Sequence, residues 1–183
     1  TTVSPAYCKE IQNKEFGCGL DGFLSHYNNK LYGILNGIDI QEWNPETDEF
    51  IAPYNYKLNS ITNKKTFKLK FLRESGFTNF QFPFFTMVTR LTEQKGIQLL
   101  LSIFEKLMSL PLNLYILGSG SPKFEKKLNE FTKRFPKKFK FQTGFNDQLA
   151  HKLYGAGDFF LMPSTFEPCG LGQMIAMRYG NIP

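Results

Sequence analysis

From residue 83 onward the chain alternates short apolar, β-forming runs with stretches whose apolar residues recur at helical spacing. That alternation constrains its fold more than any other feature. Residues 83–88, 113–117, 139–142 and 158–162 read as strands, rich in Phe, Leu, Ile and Val and bounded by turn residues. Between the first two, Ile97, Leu100, Leu101, Phe104, Leu107 and Met108 trace one helix face, with Thr92 a candidate cap and Pro111 closing the segment. The loop Gly118-Ser119-Gly120-Ser121-Pro122 opens a charged amphipathic helix, and further helices are expected over 147–154 and 170–179. Strand and helix in regular succession predict an α/β domain: a doubly wound parallel sheet with helices on both faces. In such sheets ligands sit beyond the carboxyl ends of the strands, so the residues just after each strand are where chemistry is expected.

The first 80 residues read differently. Residues 23–27 and 31–35 flank Asn28-Asn29 as a β-hairpin would. Residues 44–48 form a loop, and 65–72 fit a strand or a helix equally well. The chain opens on Thr1 rather than Met and closes on Pro183, where a further strand is due; both ends suggest a piece of a longer protein. At 183 residues there is room for one α/β domain with a full core but not for two.

Composition narrows the partners. Hydrophobic residues are 42% and aromatics 16%, too many for a disordered chain. No run approaches the roughly 20 apolar residues of a membrane span, and no signal peptide is visible. A net charge of +6 suits anionic ligands, although solvated helix faces over 57–70 and 123–140 account for much of it. Cys8, Cys18 and Cys169 form neither an even framework nor a Cys-x-x-Cys pair, which argues against a disulfide scaffold or a zinc site and favours a reducing cytosol.

Three stretches after strands carry candidate chemistry. Arg90 and Lys95 place two cations around a helix start, a natural seat for a diphosphate, with two solvated loop cations as the alternative. Gly118-Ser119-Gly120 lacks the third glycine of a dinucleotide fingerprint, Lys123 standing there, and reads as a turn. The strongest is 163–173, where Glu167 follows a strand and precedes the glycine-bearing backbone of Gly170 and Gly172. Glu167 could receive sugar hydroxyls or simply cap the helix. His26 and His151 read as surface or satisfied core residues, and Cys169 has no visible general base.

The same residues carry a resemblance. Gly33-Ile34-Leu35-Asn36-Gly37-Ile38-Asp39 and Trp43-Asn44-Pro45, then Arg90-Leu91-Thr92-Glu93-Gln94-Lys95-Gly96, then Phe166-Glu167-Pro168-Cys169-Gly170-Leu171 with Ala176-Met177-Arg178-Tyr179-Gly180, resemble motifs of bacterial glycogen synthases and plant starch synthases, in the same order. The resemblance implies the C-terminal, Rossmann-like half of a GT-B retaining glucosyltransferase, truncated. It further implies that residues 1–35 end the N-terminal domain and form an interdomain linker, and that 36–183 form the nucleotide-sugar-binding domain, incomplete at its C-terminus.

The activity so implied is transfer of glucose from ADP-glucose, favoured over the alternative UDP-glucose, to the non-reducing end of an α-1,4-glucan, without metal or other cofactor, in the cytoplasm or a plant plastid. No nucleic acid or membrane enters that reading. Arg90 and Lys95 match the residues that bind the diphosphate and stabilise the leaving group. Glu167 matches the acidic residue at the sugar, and Phe145 the aromatic ring against the base. Cys169, Gly170, Leu171 and Gly172 match the substrate-binding backbone at the helix start. Thr165 and Gly172 depart from the family, which commonly has Arg and Thr there, and Ile175 stands where related transferases carry a second Glu. Without the N-terminal domain the piece is expected to be inactive; the alternative is a nucleotide-binding module without catalysis, or, more distantly, a basic nucleic-acid-binding domain.

Overall fold

The computed structural model describes all residues from Thr1 to Pro183. They form two compact units: Thr1–Ile38 with Phe166–Leu171, and Asp39–Thr165 with Gly172–Pro183.

The smaller unit holds two short helices, α1 (Pro5–Glu10) and α2 (Asp21–His26). Ser4 caps α1 by accepting the Tyr7 amide, with Pro5 at the first turn, where its missing N–H costs nothing. The expected hairpin over 23–35 is absent. Residues 21–26 are helical, Asn28–Lys30 is a 3-10 turn, and Phe23 meets Tyr27 at 4.9 Å between ring centroids. Asn28-Asn29 does turn the chain, but the residues before it obey the i, i+4 spacing of a helix rather than the pleat of a strand. Only Gly33 pairs in sheet fashion, bridging Thr2 in parallel.

The larger unit contains a four-stranded parallel sheet of β1 (Phe84–Val88), β2 (Asn113–Gly118), β3 (Phe139–Thr143) and β4 (Phe159–Phe160), in the order β3-β2-β1-β4. Strand order reverses between β1 and β4, the point at which sheets of this kind place their ligands beyond the carboxyl ends. After the last helix the backbone returns to the sheet, where Ile182 bridges Phe159 in parallel. β4 is shorter than the expected 158–162.

Alternation sorts the side chains. Met87, Leu114 and Ile116 pack on one face with α4 (Ile97–Ser102), α5 (Phe104–Ser109) and α6 (Pro122–Arg134). Phe104, wholly buried, stacks on Phe131 at 4.1 Å and meets Phe139 edge-on at 4.8 Å; burying each such ring stabilises by about 2–3 kcal/mol. On the other face Phe84 and Tyr115 meet Phe71 of α3 (Thr62–Glu74), which packs beside α7 (Asp147–Ala156). The ambiguous 65–72 is therefore helix. The single helix expected after Thr92 is two, α4 and α5, interrupted at Ile103. α8 (Leu171–Arg178) completes the series.

Candidate functional site

The carboxyl ends of β1, β2 and β3 open into a cleft of about 240 Å³ lined by Val88, Thr89, Arg90, Leu117, Gly118, Ser119, Gly144, Phe145, Asn146 and Ala150. Arg90 leaves β1 directly, and Phe145 stands at the rim with 90% of its surface exposed. No packing duty holds that ring in place, which leaves its face available to a flat partner.

The glycines explain why the cleft exists. A Cβ on Gly118 would lie 1.9 Å from the Thr89 carbonyl oxygen, so only glycine lets β2 end against the extension of β1. That extension is fixed by the Leu91 amide on the Ser119 carbonyl at 2.8 Å and the Ser121 amide on the Leu91 carbonyl at 2.9 Å. The 118–120 stretch, which the sequence marks only as a turn, thus contributes Gly118 and Ser119 to the lining.

Beyond Arg90 the chain makes a 3-10 turn, Glu93–Lys95, and enters α4 through Gly96 at φ 68°. Thr92 precedes the turn but makes no side-chain cap, contrary to its expected role. Any Cβ at Gly96 would meet the Pro163 carbonyl oxygen at 1.9 Å. The loop after β4 therefore lies directly on the turn that carries Lys95. Asn146, also in the lining, caps α7 by accepting the Leu149 amide at 2.8 Å. Cleft-lining Asn146 sets the positive end of a ten-residue helix at the rim, where it favours an anion.

Gly172 belongs to this unit, its backbone close to the Phe160 ring. Glu167, Cys169, Gly170 and Leu171 belong to the smaller unit. There Phe166 stacks on Phe16 at 4.6 Å and meets Tyr7 at 5.4 Å, while the Pro168 carbonyl accepts the Ser4 hydroxyl at 2.6 Å. Gly170 takes a left-handed φ of 79°, and the Cys169 thiol lies 4.0 Å from the Asn36 carbonyl. The segment bearing Glu167 is thus locally braced on both sides of the carboxylate, by a ring before it and a carbonyl hydrogen bond after it.

Of the residues singled out in the sequence, Arg90 and Phe145 share one cleft and Lys95 sits on the turn that follows Arg90. The sequence missed Thr89, Ser119, Gly144 and Asn146. A strand-end rule applied to β3 as well as to β1 would have found Gly144 and Asn146.

A family model described as glycosyl transferases group 1 matches residues 70–183, and one described as starch synthase catalytic domain matches residues 1–26. Glycogen synthase of Kosmotoga olearia is 46% identical over 183 residues, and that of Lactococcus lactis 45%. All of this chain is covered in each case, and it spans 38% of the length of these relatives. The solved catalytic domain of starch synthase IV from Arabidopsis thaliana, bound to ADP and acarbose, superposes with a TM-score of 0.93 at 35% identity, covering all of this chain and 38% of that one. With more than half of its residues inside the matched model, the chain belongs to the glycosyl transferases group 1 family.

Proposed function

We propose that this chain supplies the donor-nucleotide side of a glycogen or starch synthase that moves glucose from ADP-glucose to the non-reducing end of an α-1,4-glucan with retention. The observation that carries the reading is the cleft at the ends of β1–β3, which joins a cation, a helix N-terminus and an exposed aromatic ring. Those are the three features a nucleoside diphosphate requires. Its support from relatives is the identity of about 46% to glycogen synthases and the likeness to an ADP-bound starch synthase.

In this reading Arg90 and Lys95 hold the diphosphate. Departure of that group builds negative charge, and two preplaced cations stabilise it more in the transition state than in the ground state, with no metal needed. Phe145 stacks on the base. Glu167 is assigned the role of stabilising positive charge at the anomeric carbon of the transferred sugar, and the backbone of Cys169, Gly170, Leu171 and Gly172 that of receiving phosphate and sugar oxygens. Transfer belongs to an enzyme of the relatives' full length; the chain alone binds nucleotide and does not turn over.

The test is glucan-dependent ADP release from ADP-glucose by an enzyme of that length carrying this stretch. Glu167→Gln should lower kcat about 100-fold or more with ADP affinity unchanged, about 2.7 kcal/mol in the barrier. Equal turnover in the variant would sink the role of Glu167. Equal use of UDP-glucose would overturn the donor assignment.

A further inference from the structure

We propose that Glu42, Asp147 and His151 form a divalent-cation site on the outer side of α7, apart from the donor cleft and from the transfer chemistry. The site takes a borderline cation of the zinc type, held by one imidazole nitrogen and two carboxylates.

The imidazole is what lifts this group above an ordinary acidic cluster. His151 is 3% exposed, yet it is not sealed in the core. One side of the ring is fixed: Nδ1 lies 3.0 Å from Asp48 Oδ2. Asp48 is itself buried and accepts the Tyr179 hydroxyl at 2.6 Å and the Phe50 amide at 2.9 Å. A carboxylate has only acceptors to offer, so Nδ1 must carry the proton, and a neutral ring then presents its lone pair at Nε2. Trp43 stacks flat on the ring at 4.0 Å, so it cannot rotate away.

Nε2 has no hydrogen-bond partner. The ring lines an open pocket together with Gln41, Glu42, Thr47, Asp48, Glu49 and Asp147. Asp147 Oδ1 is 4.0 Å from it, and the ligand atoms of Glu42, Asp147 and His151 lie within 4.8 Å of one another. Bonds of about 2.0–2.2 Å to a tetrahedral cation place ligand atoms about 3.4 Å apart, and the two exposed carboxylates can close that difference by side-chain rotation alone. A metal-bound histidine whose other nitrogen donates to a buried carboxylate is the usual outer-shell arrangement at such sites. The positive end of α7 opposes a cation here; Glu42, Asp147 and the Asp48 charge behind the ring offset it. An imidazolium wedged between Asp48 and Asp147 would satisfy the same geometry without metal, and the experiment separates the two.

Zn²⁺ is titrated into the chain with its three thiols carbamidomethylated, following the emission of Trp43, the only tryptophan. Expected is saturable 1:1 binding that changes the Trp43 signal, weakened tenfold or more by Asp147→Asn and by Glu42→Gln. Both substituted side chains are exposed, so these variants fold, whereas His151→Gln would disturb the core. Wild-type affinity in either variant, or no saturable binding up to about millimolar Zn²⁺, overturns the site. Because ADP binding to the donor cleft is measured separately, failure here leaves that reading untouched.

Discussion

The Thr165 amide donates to the Gln94 carbonyl at 3.0 Å, tying the loop after β4 to the turn after β1. The two segments border the point where strand order reverses, so the crevice expected of a doubly wound sheet has its wall stitched at backbone level.

Gly96 is the hinge of that seam. Gly96→Ala adds a side chain at φ 68° and drives it into the Pro163 carbonyl. The expected cost is about 2–3 kcal/mol in urea unfolding, part from left-handed strain and part from the clash. ADP affinity should fall with it, because the displaced turn carries Lys95. A variant of wild-type stability would mean the seam is looser than described.

Lys64 gives a pH signature. Its ammonium is buried against the carbonyls of Gly155 and Tyr179 at 3.2 and 2.9 Å and the Asn181 side chain at 3.2 Å, and burial lowers its pKa to about 7 from 10.5. Below pH 7 both folded and unfolded chains hold the proton, and the fold bears the full cost of a buried charge. Between about 7 and 10.5 only the unfolded chain holds it, so stability should rise by up to about 1.4 kcal/mol per pH unit. Urea unfolding at pH 6, 7, 8 and 9 should show that rise. Lys64→Met should flatten it, because the substituted chain has no proton to lose at that position. The same slope in both chains would rule out Lys64 as the source.

Phe145 separates binding from folding. Its ring is almost wholly exposed, so Phe145→Ala should change unfolding free energy by less than about 0.5 kcal/mol. Loss of a stacking face should weaken ADP about three- to tenfold, the equivalent of about 0.5–1.5 kcal/mol. A large stability loss with affinity intact would reverse its assignment.

Much of the larger unit is legible because its periodicity is strong. Phe84 to Val88 and Asn113 to Gly118 are apolar on both faces, and the Phe124, Leu128, Phe131 row of α6 is an unbroken helical stripe. The smaller unit is not. Its helices are six residues long with no buried residue, so neither a 3.6 nor a 2.0 period has room to declare itself, and the Asn28-Asn29 turn suggested a hairpin instead. In the cleft, Arg90 was legible as a cation after a strand. Ser119 was not, because what places it is backbone packing against the Leu91 segment, about 30 residues away. His151 escaped for the opposite reason: one sequence cannot show which nitrogen of a histidine is already engaged.

The most direct measurement is calorimetric titration of ADP into this chain and into Arg90→Ala. Saturable binding to the wild-type chain, weakened tenfold or more by the substitution, is the expected result, since a guanidinium on a diphosphate contributes about 1.5–3 kcal/mol. Equal affinity in the two chains, or no binding by a folded wild-type chain, would contradict the placement of the donor site at the ends of β1–β3.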